Sequence, residues 1–326
     1  MIDINELLSG VIIHKNQGFA VFYYENGESI SKYSGKLIDK KRQKVNFSTN
    51  FRLASVTKQF IAYAIVDLIH NNKLSYDTKV LDIYPQLPKY FNNITIKNLL
   101  NHTSGIYNYE SIPHKDTDPQ ILDRDILSFL KTTTSTYFEI GSQYKYSNTG
   151  YILLGLIIED ISGLSLSKYI DKNIFKKAKM KYSKVNVQGK TKIKNRAYGH
   201  LINEFNELYM KDQSWSSAAI GDGGIYSSIN DLKKWCLFFS NSEYYNEMTK
   251  PNYISEETYN EYGLGIRTIK VKDFNIHYHC GETIGTNTIL LFSKEYNICL
   301  LFLTNLGNIN TSKIKDNLVN YLCNKE

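Results

Sequence analysis

Proline and cysteine are both scarce in this chain of 326 residues, which holds five of the first and four of the second. With only 19 glycines beside those prolines, no stretch has the composition of a long flexible linker, so a compact fold is expected. Cys236, Cys280, Cys299 and Cys323 form no Cys-x-x-Cys pair and have no histidine at metal-ligand spacing. That argues against a zinc site or a disulfide framework and leaves free thiols. No run reaches the ~18 apolar residues that a membrane helix needs. The N-terminus lacks a basic segment followed by an apolar one, so the chain as written reads as cytoplasmic, or as exported with its signal trimmed.

Charge of one sign is not in large excess either. The 39 Lys and Arg against 32 Asp and Glu leave +7, too little over so large a surface to indicate nucleic acid. One segment differs: Lys172 to Arg196 holds ten basic residues and no acidic one. It reads first as a solvated face, and second as a weak contact for an anionic surface. Apolar residues at 42% and charged residues at 22% are ordinary for a globular protein that buries a sizeable core.

What is present divides into strands at both ends and helices between. Gly10 to His14, Phe19 to Tyr24 and Ser29 to Tyr33 read as strands, the last two joined by Asn26-Gly27, a strong hairpin signal. His277 to Cys280, Asn287 to Phe292 and Asn297 to Leu303 read likewise, followed by an amphipathic helix from Thr311 to Leu322. In the middle, Thr57 to Ile69 is nearly continuous apolar sequence, Thr95 caps a helix stopping at Gly105, and Thr149 to Ile161 is an apolar helix closed by Gly163. The expected fold class is α/β of the α+β type. An antiparallel sheet built from residues 1–75 and 225–326 is flanked by helices, and 76–224 form a mostly helical inserted domain. A cleft between two such parts is where a ligand would sit.

Three local patterns carry chemistry. Ser55-Val56-Thr57-Lys58 on a helix sets a hydroxyl and an amine one turn apart on one face. Ser-x-x-Lys occurs six times in this chain, and environment singles out Ser55. Lys58 projects into the sector of Ile61, Ile65 and Ile69, where lost hydration favours the neutral amine that can accept a proton. A helix-capping serine followed by a lysine reaching for solvent is the plainer alternative. Tyr146-Ser147-Asn148 comes next; two residues apart in extended chain, Tyr146 and Asn148 face the same side, though Asn148 could equally cap the helix behind it. Third is His279-Cys280-Gly281, the one His-x-Gly in the sequence, on a strand where the glycine admits close approach and His279 could be an ordinary buried histidine.

These patterns occur in the order Ser-x-x-Lys, Tyr-x-Asn, His-x-Gly, 91 and then 133 residues apart. In that order the chain resembles the penicillin-recognising serine hydrolases of the class C β-lactamase and DD-peptidase type. The resemblance extends over nearly its whole length. Leu99-Leu100-Asn101-His102-Thr103-Ser104-Gly105, Tyr151-Ile152-Leu153-Leu154-Gly155, Gly223-Gly224-Ile225-Tyr226-Ser227-Ser228 with Asp231-Leu232, and Tyr262-Gly263-Leu264-Gly265 are all similar to segments of that family. The chain departs from it in having Ile140-Gly141 before Tyr-x-Asn and in lacking any Lys-[Ser/Thr]-Gly.

The resemblance implies an acyl-enzyme mechanism without metal or nucleotide cofactor, on a small ester, amide or D-amino-acid peptide. Ser55 would be the nucleophile, with Lys58 and Tyr146 sharing its proton. Asn148 would hold the substrate amide, and His279 would line the opposite wall. The backbone N–H groups of Ser55 and of Glu282, just past Gly281, would form an oxyanion hole. Gly221-Asp222-Gly223-Gly224 reads as a structural turn. A non-catalytic, penicillin-recognising sensor is the competing expectation. Because an unperturbed imidazole is only partly charged near neutral pH, His279 implies weak carboxylate recognition, and Glu282, if it points inward, a preference for amine-bearing substrates.

Overall fold

The computed structural model describes residues 1–11, 14–38, 43–115, 118–255 and 258–325. At the Asn26-Gly27 turn both residues take positive φ (50° and 97°), the backbone that a two-residue hairpin requires. The turn joins β1 (Phe19–Glu25) to β2 (Glu28–Ser34), with Glu25 opposite Glu28. From the other end of the chain come β3 (Arg267–Val271), β4 (Phe274–Thr283), β5 (Thr286–Ser293) and β6 (Ile298–Thr304). All six form one antiparallel sheet in the order β3-β4-β5-β6-β1-β2, so β1 closes against β6. The fold is of the α+β class that the strand-helix-strand order implies, and the family resemblance points the same way. The expected strand over Gly10 to His14 does not form where it can be followed. Gly10, at φ 72°, sits in the turn that follows a short helix at Ile4–Leu7, and Ile12 and Ile13 lie outside the described residues.

Alternation along the strands buries both faces of this sheet. On one face Val21, Tyr23, Leu291 and Leu300 pack with Ile4, Leu7, Leu318 and Leu322, the last two from the C-terminal helix Ser312–Asn324. On the other, Ala20, Phe22, Leu290, Leu301 and Leu303 meet the helices of the middle of the chain. Of these, α1 (Thr57–His70) is buried along nearly its whole length and packs against α2 (Asn148–Ser162). Ser147 caps α2, and Gly163, at φ 68°, ends it. α3 (Ile229–Ser240), capped by Ser228, is pinned to α1 by Trp235, whose ring lies 4.3 Å from that of Phe60 and whose Nε1 donates to Gln59.

Three expectations change in detail. The helix capped by Thr95 ends at Leu100, because His102 adopts φ 61° and the Asn101 and Thr103 side chains bond to each other in a turn. Between 184 and 210 the chain makes short strand pairs rather than helix. The basic segment Lys172 to Arg196 is also less bare than its sequence suggests, since acidic partners arrive from outside it. Lys176 and Lys184 reach Asp171, Lys177 reaches Asp67, and Arg196 pairs with Asp212. Among the described residues no single helix is long and apolar enough to cross a membrane, and the four cysteines are free.

Candidate active site

Ser55 lies in a single 3₁₀ turn, Ala54–Val56, that leads into α1 rather than in the α-helix itself. The turn is held from three sides. Ala54 takes φ 48°, unfavourable for a residue with a Cβ, and the backbone of Gly223 fits against it. Leu53 N–H donates to Ile225 O, and Leu53 O accepts from Thr288 Oγ1 on β5. At Gly281 of β4 a Cβ would come within 2.1 Å of Leu53 O, so only glycine lets the strand lie against the Ser55 turn.

One turn along α1, Lys58 is wholly buried. Its Nζ donates to Ser55 Oγ (3.1 Å), Asn148 Oδ1 (2.8 Å) and the backbone oxygen of Asp222 (2.9 Å). None of these acceptors is a carboxylate. Burial pushes the ammonium down to about 8, against the pull of the Asp222 and Glu110 charges. Capping falls to Ser147, which frees the Asn148 amide to bridge. Its oxygen faces Lys58 and its nitrogen donates to Glu110 Oε1 at 3.0 Å, two partners that fix which way the amide points.

Tyr146 stands beside Lys58, whose Nζ is 4.9 Å from the ring centroid. Its hydroxyl is buried, and burial holds it firmly as the phenol, with Ser55 the foremost group opposing that shift. Behind it lies His102, rings 4.4 Å apart. The His102 Nδ1 accepts from Ser147 N–H at 3.1 Å, which ties the Leu-Leu-Asn-His-Thr-Ser-Gly turn to the Tyr-x-Asn segment. Burial drives this imidazole well below its ordinary range, so it accepts as the neutral ring.

His279 is also neutral. It is buried, its Nδ1 meets Cys280 O (2.6 Å), its Nε2 meets Tyr262 Oη (3.0 Å), and burial pushes it down to about 3. The partial charge expected of it from its unperturbed value is therefore absent, because the ring sits away from water. The positive charge of the cleft comes instead from Arg267 on β3, which sequence reasoning missed. Its Nη2 donates to Tyr144 Oη at 3.1 Å, and its guanidinium lies 5.3 Å from the Tyr262 ring and 6.0 Å from that of Tyr146. Among the described residues it has no carboxylate partner. Glu110 and Asp222 were missed too. The first stands on a 3₁₀ turn at Tyr109–Ser111, and the second sits in the Gly221–Gly224 turn, where its carboxyl accepts from Tyr109 Oη and is pushed up by burial. That turn, expected to be structural only, also delivers a carbonyl to Lys58.

Ser55, Glu110, Tyr146, Asn148, Arg267, His279 and Glu282 thus border one cleft of about 710 Å³, Glu282 exposed at its edge and Gly281 buried beneath. All seven residues expected of the site come together, with Arg267 and Glu110 added. A Gly281→Ala chain should lose about one to three orders of magnitude in kcat on any substrate turned over, because β4 and the Ser55 turn must separate. Circular dichroism checks that the fold persists; wild-type rates in a folded variant would mean that the contact at Leu53 is dispensable.

Comparison with known families matches residues 8–322 to the one described as Beta-lactamase. Penicillin-binding protein 4* of Bacillus subtilis is 27% identical over 316 residues, covering 91% of this chain and 68% of that protein. Among solved structures, the octameric penicillin-binding protein homologue from Pyrococcus abyssi superposes with a TM-score of 0.80 at 23% identity, covering 94% of this chain and 73% of the other. D-amino acid amidase from Ochrobactrum anthropi SV3 gives 0.78 at 22%, covering 98% and 94%. At such identities the two structures speak for the shared fold.

Proposed function

Because the chain belongs to the Beta-lactamase family, we propose that it is a serine hydrolase that cleaves small amides, esters or D-amino-acid peptides through an acyl-enzyme on Ser55. The observation that carries this reading is the 3.1 Å bond from Lys58 Nζ to Ser55 Oγ, made by a buried amine lowered to about 8. Near neutral pH a useful fraction of that lysine is the free base. As Ser55 Oγ bonds to the acyl carbon, its proton passes to Lys58. Tyr146, held as the phenol, gives a proton to the leaving nitrogen or oxygen and is reprotonated through Lys58. The N–H groups of Ser55 and Glu282 stabilise the oxyanion, each such donor being worth about 3 kcal/mol. Water then cleaves the ester to Ser55. Residues 1–75 and 225–326 would act as one domain supplying Ser55, Lys58, Arg267 and His279, and 76–224 as an inserted domain supplying Glu110, Tyr146, Asn148 and Asp222.

The cleft charges refine the substrate. Weak carboxylate recognition was expected from His279 alone. Arg267, without a carboxylate partner among the described residues and partly sheltered by three tyrosine rings, offers a carboxylate the fixed fork that the neutral imidazole does not. Glu110 and Glu282 border the same space and suit an ammonium. A short peptide or amino-acid amide bearing both charges fits best. Arg267→Gln should lower kcat/KM about tenfold to a hundredfold for a substrate with a free carboxylate and change a neutral p-nitrophenyl ester less than about threefold. Equal losses on both would assign Arg267 a structural role.

The decisive experiment is intact mass after incubation with a penicillin, together with turnover of a p-nitrophenyl ester and a D-alanine p-nitroanilide. A covalent adduct followed by release, or turnover of either chromogenic substrate, is expected. No adduct and no turnover would leave a fold without the reaction.

A further inference from the structure

A second cavity, of about 390 Å³, shares no lining residue with the catalytic cleft. Its construction follows from register. Tyr24 on β1 stands opposite Cys299 on β6, and Cys299 opposite Phe292 on β5, so the three form one row across the sheet. Phe22, two residues from Tyr24, extends the same face. Over this floor runs α3, which presents Lys233, Cys236, Leu237 and Ser240, the i, i+3, i+4, i+7 stripe of a helix. Phe239 in the last turns of that helix meets Phe292 on the floor, ring centroids 5.6 Å apart, and the cavity opens beside this contact.

The rim is basic. Lys233 Nζ lies 4.2 Å from the Phe22 ring centroid, and Lys294, in the turn between β5 and β6, puts its Nζ 4.7 Å from that of Tyr245. Among the described residues neither ammonium has a carboxylate partner. Leu237, at 69% exposure, is a large apolar side chain held in water at the lip. Lys233 and Lys294 over an apolar floor, with an exposed leucine beside them, match one ligand chemistry: an apolar chain that ends in an anion.

We propose that this cavity is a binding site for a medium-chain carboxylate, its alkyl chain along Phe22, Phe292 and Leu237 and its carboxylate between Lys233 and Lys294. Cys299 supplies a reporter in the floor, half-buried, in no disulfide and facing Cys236. The site is independent of the hydrolase reading, since occupancy is measured away from Ser55.

The test uses the full chain and decanoate below its micellar concentration. Calorimetry should show saturable binding, and peptide-resolved alkylation by N-ethylmaleimide should show Cys299 protected by decanoate. The Lys233→Gln, Lys294→Gln double variant should bind decanoate at least about tenfold more weakly while leaving hydrolysis of a small neutral ester unchanged. Leu237→Gln should weaken decanoate and decanol alike. Absence of Cys299 protection, decylamine binding as tightly as decanoate, or a double variant indistinguishable from wild type would each overturn the proposal and leave the gap a packing defect.

Discussion

Ser55→Ala should abolish turnover and covalent labelling by a fluorophosphonate, because the variant removes the hydroxyl that Lys58 Nζ reaches at 3.1 Å. The loss is total rather than graded. An acyl-enzyme cannot form without the nucleophile, and what remains is at most the residual rate from an oxyanion hole and bound substrate. Two of the other Ser-x-x-Lys serines serve as internal controls. Ser165 caps the helix Leu166–Ile170, and Ser142 donates to Glu139 O in an exposed turn, so alanine at either should leave labelling intact. Labelling that persists in Ser55→Ala would refute the assignment of the nucleophile, whatever the fate of the family fold.

Lys58→Ala and Tyr146→Phe should each slow acylation by about two to four orders of magnitude, the range expected when a positioned proton carrier is lost. The two should combine far less than additively, since both serve one proton path. The pH profile separates them. In the proposed mechanism Lys58 acts as the neutral amine, so wild-type kcat/KM should rise about tenfold per pH unit up to the lysine's value of about 8 and level off above it. Tyr146 stays protonated throughout this range, because burial raises it. Tyr146→Phe should therefore keep the acid limb at a lower rate, whereas Lys58→Ala should lose it. An unshifted limb near pH 8 in Lys58→Ala would mean that another group is the base.

Much of this arrangement was legible in one dimension, wherever local geometry follows from spacing. Asn26-Gly27 can only turn tightly, and β1 and β2 pair about it in the expected register. Three residues from Ser55 to Lys58 span nearly one helical turn, and the apolar residues that follow lead the amine inward rather than to solvent. Two residues from Tyr146 to Asn148 turn both toward one side, and two from His279 to Gly281 do the same on β4. The order of these segments then carried the family. The positions that failed locally are instructive as well. Gly10 and His102 both take left-handed backbone, and each ends or displaces an element that propensity alone extends.

The sequence by itself determined the pairs whose members lie within a helical turn or a strand step, because there the covalent chain sets the distance. Only the tertiary structure decided what lies across the gap. Glu110, Asp222 and Arg267 come from three separate elements far apart in the sequence, and they meet Lys58 and Tyr146 only through the packing of the sheet against the helices. The protonation states belong to the same level. Lys58 lowered to about 8 and His279 to about 3 are consequences of burial, and burial is a property of everything folded around a residue rather than of its neighbours in the chain.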